Sequence, residues 1–225
     1  KIKLMKHQIS IQSTQNGLWT FLVEKGDFFA RDILEERLAS CGICNWLSEK
    51  MKPLEFNKVR LTIVNQNATL EISQAPLGEE SIPVRTLDYK KEYENSWQKQ
   101  SHQDLEQEGY EVFKYHDNIV SEGLISNIFI LRNNQIITPR LGKELYAGMA
   151  RQWLLNNQSK IGIKILEDHI KKEWLYDSQA IFCTNALRGL RIVSEIDGTK
   201  CKQDASVLEL KIKLEENYRW PQIRK

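Results

Sequence analysis

The sequence SEGLISNIFI, residues 121–130, places a carboxylate and an amide immediately before an apolar run. The run that begins at Ile128 is typical of a buried β-strand. Burying a charge beside such a strand is costly unless a partner compensates it. From this spacing alone, Glu122 is either an edge-strand side chain in solvent or part of a functional site.

Strand and helix patterns alternate around this stretch. Residues 110–123 and 126–139 each predict two strands joined by a turn, at Asp117-Asn118 and at Asn133-Asn134. The following patterns predict a helix, a strand and two further strands, at residues 144–158, 161–170 and 180–198. This alternation predicts an α/β protein with mixed sheets.

The N-terminal part has the pattern of a smaller unit. Residues 18–30 predict two strands around Lys25-Gly26-Asp27, a helix follows at 32–38, and 59–72 predict a hairpin. The segment QAPLGEESIP, rich in Pro, Gly and Glu, indicates a boundary. We therefore expect a small N-terminal α/β domain over residues 1–78, a linker over 79–87 and a larger domain over 88–225. The polar segment from Asp88 to Glu108 predicts an exposed helix.

Composition excludes several classes of partner. Of the 225 residues, 41% are apolar and 28% charged, which is ordinary for a globular protein, and the net charge is +2. The 32 basic and 30 acidic residues are spread along the chain, so we expect no nucleic-acid partner and no membrane partner. The basic start KIKLMKHQ is followed by polar residues, and we expect a cytoplasmic protein.

The four cysteines do not predict a metal site. Cys41 and Cys44 are three positions apart, and no second pair lies at a usable spacing for zinc. We therefore expect no metal, and interpret Cys41, Cys44, Cys183 and Cys201 as buried or incidental thiols.

Four segments in this order closely resemble the class IV aminotransferase family, the fold type IV group of pyridoxal-phosphate enzymes. They are residues 121–130, ITPRL at 137–141, LYAGMAR at 145–151 and FCTNAL at 182–187, and residues 17–42 resemble the family's opening hairpin and helix. The resemblance covers nearly the whole chain. It implies a two-domain fold with a C-terminal pseudo-barrel, pyridoxal 5′-phosphate in the cleft between the domains, and a homodimer.

The chemistry of the cofactor explains the carboxylate. Pyridoxal phosphate withdraws electrons effectively only while its ring nitrogen stays protonated, and a nearby carboxylate favours the protonated form. By resemblance, Glu122 is that carboxylate. Asn127 has three alternatives: it holds Glu122, it binds the cofactor hydroxyl, or it only ends a strand.

The phosphate group needs donors, and the start of a helix offers unpaired N–H groups. Gly148, Met149 and Ala150 lie at a predicted helix start, and the resemblance implies that their main-chain amides bind the phosphate together with the break at Asn185-Ala186. Arg37 matches an arginine that contacts the phosphate in the family, a role that suits guanidinium. The alternative for Arg37 is a solvated helix arginine.

The chain departs from the family at the lysine that attaches the cofactor. The matching stretch begins with arginine, Arg85-Thr86-Leu87-Asp88-Tyr89, and a guanidinium has no free nucleophilic nitrogen. A second register, counted back from Glu122, brings Lys90 or Lys91 to this position, where the alternative is a pair of solvated lysines. Three alternatives follow for the chain. It is an enzyme that uses one of these lysines, a protein that binds the cofactor noncovalently, or a relative that has lost catalysis and kept the fold.

The resemblance also suggests a reaction. Asn185-Ala186-Leu187 is most similar to the aminodeoxychorismate lyase version of the phosphate loop, which implies release of pyruvate and 4-aminobenzoate from a small-molecule substrate, a step towards folate. The alternatives are a D-amino acid or branched-chain aminotransferase and a noncatalytic homologue. Arg140 and Arg188 are candidates to meet a substrate carboxylate, or are surface arginines.

Overall fold

Two β-sheets with helices packed against them make up the chain in the computed structural model, which describes residues 4–12, 16–75, 81–90, 92, 111–218 and 220–221. The described helices are α1 (Arg31–Leu38), α2 (Cys44–Met51), α3 (Met149–Ile161), α4 (Trp174–Asp177) and α5 (Ala205–Asn217). The described strands are β1 (Met5–Ser10), β2 (Gly17–Glu24), β3 (Asp27–Phe28), β4 (Phe56–Val64), β5 (Asn67–Gln74), β6 (Ser81–Asp88), β7 (Glu111–His116), β8 (Ile119–Gly123), β9 (Asn127–Arg132), β10 (Gln135–Pro139), β11 (Ile165–Asp168), β12 (Ile170–Lys171), β13 (Ala180–Asn185), β14 (Gly189–Ile196) and β15 (Thr199–Lys200).

The first sheet has the strand order β1-β5-β4-β2-β3 and is antiparallel throughout. Alternate residues of its strands, such as Trp19, Phe21 and Leu61, are buried in one core with residues of α1 and α2. This alternation follows from the period of two that places successive strand side chains on opposite faces. The opposite face carries Thr20, which stands beside Arg60 in the register of β2 with β4.

The second sheet follows the order β11-β10-β9-β13-β14-β6-β7-β8-β12, with β15 added to β14. It is mixed, because β10 with β11, β14 with β6 and β6 with β7 run parallel. Strands β8 and β12 at one end of this order contact β10 near the other end, so the sheet curls back on itself. A separate apolar core that includes Ile82, Phe113, Ile130 and Val193 packs against this sheet.

The predicted hairpin turns are confirmed. Asp117 and Asn118 have φ of 47° and 64°, and Asn133 and Asn134 have φ of 51° and 58°. Two consecutive residues with positive φ match the type I′ turn that joins twisted antiparallel strands with least strain, and Asn and Asp tolerate this conformation.

Two predicted segments can be compared with the structure only in part. Residues 81–87, predicted as most of a linker, lie in β6, because Ile82 and Val84 are buried in the core of the second sheet. The predicted helix from Asp88 to Glu108 falls largely outside the described residues. Asp88 itself ends β6, where it lies opposite Tyr115 in the parallel register with β7.

Among the described residues, no helix has the length and apolar character needed to cross a bilayer. The four cysteines are free thiols, with Cys41 and Cys183 buried and Cys44 and Cys201 partly buried.

Candidate active site

A small cleft lies where three sequence motifs meet. Its walls come from residues 122–127, from Tyr146, Gly148 and Met149 before and at the start of α3, and from residues 184–186 at the end of β13. Thr20 of β2 completes the lining, so both sheets contribute. The cavity measures about 40 Å³. This is room for roughly three water molecules.

Glu122 lines this cleft near the end of β8, and only 3% of it is exposed. Its Oε2 accepts a hydrogen bond from the Tyr146 amide at 2.8 Å, and its Oε1 lies 2.6 Å from Nζ of Lys114. A buried carboxylate is stable only with such compensation. The sequence therefore identified a charge that the fold buries and pairs.

Sequence reasoning missed Lys114, the partner of Glu122. Lys114 lies in β7 between Phe113 and Tyr115 and is 2% exposed. Strands β7 and β8 form an antiparallel hairpin, which brings the two charges together although eight positions separate them. The signal was a lysine directly after Val112 and Phe113 in a predicted strand, where burial poses the same problem as for Glu122.

Asn127 and Gly148 meet at the entrance to α3. Asn127 is 3% exposed, and its Nδ2 donates to the Tyr146 carbonyl at 2.7 Å. A Cβ built on Gly148 would overlap Oδ1 of Asn127, so only glycine fits there without a shift. Asn127 therefore holds the segment that precedes α3. Among the hydrogen bonds of the described residues, none joins the Asn127 side chain directly to Glu122.

The start of α3 presents main-chain donors to the cleft. Gly148 is the N-cap of this 13-residue helix, and within the described part of the chain no side chain caps it. The N–H groups of the first turn therefore lack helical acceptors, and the helix dipole adds a partial positive charge. Met149 lines the cleft, and Ala150 is buried behind it.

Arg37 joins α1 to this helix start. Its Nη2 donates to the Ala147 carbonyl at 2.7 Å and to Oε1 of Gln152 at 2.5 Å. Its Nη1 is buried and has no hydrogen-bond partner among the described residues. Burial lowers the pKa of Arg37, and the neighbouring Tyr146 opposes this change. Burial also raises the pKa of Tyr146 to about 12.

The third wall is the turn after β13. Oδ1 of Asn185 accepts hydrogen bonds from the amides of Leu187 and Arg188 at 3.0 and 2.7 Å, which fixes the turn. The Ala186 carbonyl accepts from the Leu22 amide at 3.4 Å, so this turn also contacts the first sheet. Thr184 lines the cleft, and its Oγ1 is buried without a partner in the described part of the chain.

A second buried ion pair supports the cleft from beneath. Glu111 and Arg191 lie 3.1 Å apart, with side-chain exposures of 1% and 5%. Glu111 also accepts from the Ser126 hydroxyl at 2.9 Å and from the Ile125 amide at 3.2 Å, and both of these residues line the cleft. This network was not predicted from the sequence.

Of the candidate positions for the lysine, the described Arg85 and Lys90 do not line the cleft. Arg85 is exposed on β6, and the described Lys90 has a 51% exposed side chain whose Nζ lies 3.7 Å from Glu92. Lys91 lies outside the described residues. Arg140 is exposed and lies 3.7 Å from Asp168, whereas Arg188 is partly buried beside the Asn185 turn.

The chain is similar in sequence to known proteins. The amino-transferase class IV family model matches residues 98–196. The chain is similar to an aminodeoxychorismate lyase from Bacillus subtilis, 27% identical over 108 residues that make up 46% of this chain and 37% of that protein. It is also similar to a putative branched-chain-amino-acid aminotransferase from Methanocaldococcus jannaschii, 29% identical over 110 residues, 48% of this chain and 38% of that protein. The matched segments thus span less than two-fifths of either relative.

The similarity in structure covers more of the chain than the sequence matches do. The crystal structure of a 4-amino-4-deoxychorismate lyase from Pseudomonas aeruginosa superimposes with a TM-score of 0.73, covering 95% of this chain and 99% of that chain at 15% identity. The architecture is therefore that of the fold type IV aminotransferases. The resemblance to the class IV aminotransferase family that the sequence motifs indicated is confirmed.

Proposed function

We propose that this chain binds pyridoxal 5′-phosphate in the cleft and acts as a 4-amino-4-deoxychorismate lyase-like enzyme that releases pyruvate and 4-aminobenzoate. The observation that carries the proposal is the convergence of Glu122, the α3 start at Gly148 and the Asn185 turn on one cleft, with Arg37 bonded to the Ala147 carbonyl just before that helix. When bound, the cofactor supplies an electron sink for a developing carbanion.

The chemistry of the donors fits this cofactor at both ends. The first turn of α3 offers N–H groups to a phosphate, and the unpartnered Nη1 of Arg37 lies beside the same turn. Glu122 provides a buried carboxylate to hold a proton on the ring nitrogen. Since the cavity measures about 40 Å³, its walls must open for a ligand of this size.

The proposed reaction needs a lysine that abstracts and returns the substrate proton. Lys90 and Lys91 are the proposed candidates, because the guanidinium at position 85 has no free nucleophilic nitrogen. Lys90 is exposed at the end of β6, and it has to turn towards the cleft to take this role. If neither lysine does so, the chain is a noncatalytic binder of the cofactor.

The names of the relatives support class IV chemistry in general. One curated relative is an aminodeoxychorismate lyase and the other a putative branched-chain aminotransferase, at nearly equal identity. A D-amino acid or branched-chain aminotransferase is therefore the second candidate. We further propose a cytoplasmic homodimer, by analogy with the family.

The first experiment is borohydride reduction of the chain incubated with pyridoxal phosphate, followed by peptide mass spectrometry. We expect a reduced adduct on Lys90 or Lys91, release of 4-aminobenzoate from 4-amino-4-deoxychorismate, and loss of both after substitution of the labelled lysine. Exchange of amino groups between an amino acid and a 2-oxo acid, without 4-aminobenzoate, would favour the aminotransferase. Binding without an adduct and without turnover would leave the noncatalytic homologue, and Arg85→Lys should then create an adduct if the first register is correct.

A further inference from the structure

Lys114 and Glu122 form an ion pair at the site where the proposed function needs a cation. The ammonium of Lys114 lies 2.6 Å from Oε1 of Glu122, and their side chains are 2% and 3% exposed. The other carboxylate oxygen accepts the Tyr146 amide. Both oxygens of Glu122 therefore already have a donor from the chain itself.

The position of Lys114 explains why this pair is fixed. Lys114 stands in β7, next to β6 on one side and β8 on the other, and its register partner in β6 is Leu87. Glu122 lines the cleft, and Lys114 is not among the described residues that line it. Both side chains are almost entirely buried, and breaking such a pair leaves an uncompensated buried charge.

A protonated pyridine ring would bring a second cation to the same carboxylate. One carboxylate can neutralise only one positive charge, and like charges that share a buried site disfavour each other's charged form. The Lys114 ammonium and the Tyr146 amide are two donors to Glu122, and burial raises the pKa of the Tyr146 phenol to about 12, so this phenol supplies no second negative charge at neutral pH.

Building on the proposed function, we propose that Lys114 is an internal counter-ion that competes with the protonated ring nitrogen of the cofactor for Glu122. Binding of the ring then requires the ammonium of Lys114 to leave Oε1. The competition lowers the affinity for pyridoxal phosphate and links its binding to a movement of the β7–β8 hairpin. The small cavity is consistent with walls that must move.

The first test compares Lys114→Met with the parent chain. Methionine keeps much of the side-chain length and removes the charge, so the dissociation constant of pyridoxal phosphate, measured by tryptophan fluorescence, should fall at least about tenfold. The affinity for 3-hydroxybenzyl phosphate, which lacks a ring nitrogen, should change less than about threefold. Lys164→Met, at an exposed position, serves as the control.

The outcomes separate the two proposals. If neither the parent nor Lys114→Met binds pyridoxal phosphate at millimolar concentration, the proposed function itself fails. If the parent binds the cofactor and Lys114→Met binds it equally or more weakly, cofactor binding stands and the competition is overturned. Lys114→Arg keeps a cation, so it should bind no tighter than the parent.

A second measurement uses the unmodified chain, in case Lys114→Met does not fold. Reductive methylation labels accessible lysines, and mass spectrometry reports each site. In the free protein, Lys114 should be protected from methylation. Its labelling should be at least about threefold faster when pyridoxine 5′-phosphate, which has no aldehyde, is saturating. Lys164 should be labelled at the same rate in both conditions. Saturation without any gain in Lys114 labelling would contradict the displacement.

Discussion

Gly148 and Asn127 pack so closely that a Cβ on Gly148 would overlap Oδ1 of Asn127. Asn127 begins β9 and Gly148 caps α3, so this contact joins the second sheet to the helix start that faces the cleft. Asn127 also holds the Tyr146 carbonyl, and the Tyr146 amide in turn donates to Glu122. The two proposed ends of the cofactor site are therefore connected through one short segment.

The first prediction concerns Gly148→Ala. The added methyl group must displace Asn127 or the start of α3, so we expect a loss of about 1–3 kcal/mol in unfolding free energy and weaker binding of pyridoxal phosphate. Gly142→Ala is the matched control, because a Cβ there meets no atom within 4 Å and should change stability by less than about 0.5 kcal/mol. Urea unfolding of both variants checks this. Asn127→Ala should partly rescue Gly148→Ala if the overlap is the cause.

A second prediction concerns the phosphate end of the site. Arg37→Met removes the bonds to the Ala147 carbonyl and to Gln152 as well as the proposed phosphate contact. We expect the affinity for pyridoxal phosphate to fall at least about tenfold, since charge-assisted bonds contribute roughly 1.5–3 kcal/mol. Isothermal titration calorimetry measures this. Arg140→Met, at an exposed position outside the cleft, should bind as the parent does, and equal affinity of Arg37→Met would argue against phosphate binding here.

A third prediction concerns the ion pair beneath the cleft. Arg191→Met leaves Glu111 buried without its cation, so the free energy of unfolding should fall by about 3–5 kcal/mol. The double variant Glu111→Gln with Arg191→Met should recover part of this loss, because no buried charge remains. Chemical denaturation of the parent, of Arg191→Met and of the double variant measures the three unfolding free energies. The exposed pair of Arg140 and Asp168 offers a control, with an expected loss below about 1 kcal/mol.

Much of the fold could be predicted from the sequence because local residue patterns determine it. The paired residues at each hairpin turn, such as Asn133 and Asn134, require a left-handed conformation that Asn tolerates, so these turns could be located from the sequence. The alternation of buried and exposed residues in β4 and β5 similarly fixes their pairing. Helix α5 was not predicted, although Asp204 caps its first turn through the Ser206 amide.

The candidate site was only partly predictable, because its residues meet through tertiary contacts. Glu122 was recognised from its sequence context, but its pairing with Lys114 depends on the register of β7 with β8. Glu111 and Arg191 lie 80 positions apart and meet only because their strands belong to one curled sheet. Sequence spacing gives no measure of such distances.

The last prediction concerns alkaline pH and Tyr146. Its pKa lies near 12 in the folded chain because of burial, against about 10 for an unperturbed tyrosine. Between these values the unfolded chain loses the phenolic proton while the folded chain keeps it, so the stability that the neutral phenol contributes below pH 10 is lost as the pH rises towards 12. The contribution of Tyr146 to this slope is at most about 1.4 kcal/mol per pH unit.

Tyr146→Phe should therefore show a shallower fall in unfolding free energy between pH 10 and 12 than the parent, whatever its stability at pH 8. Urea titrations at several pH values measure this slope. Tyr176 also has a pKa of about 12, raised mainly by burial and by its hydrogen bond to Asp197, and it contributes equally to both chains. Identical slopes for the two chains would mean that Tyr146 titrates in the folded protein as it does in the unfolded one, and that the phenol beside Arg37 is not held neutral by burial.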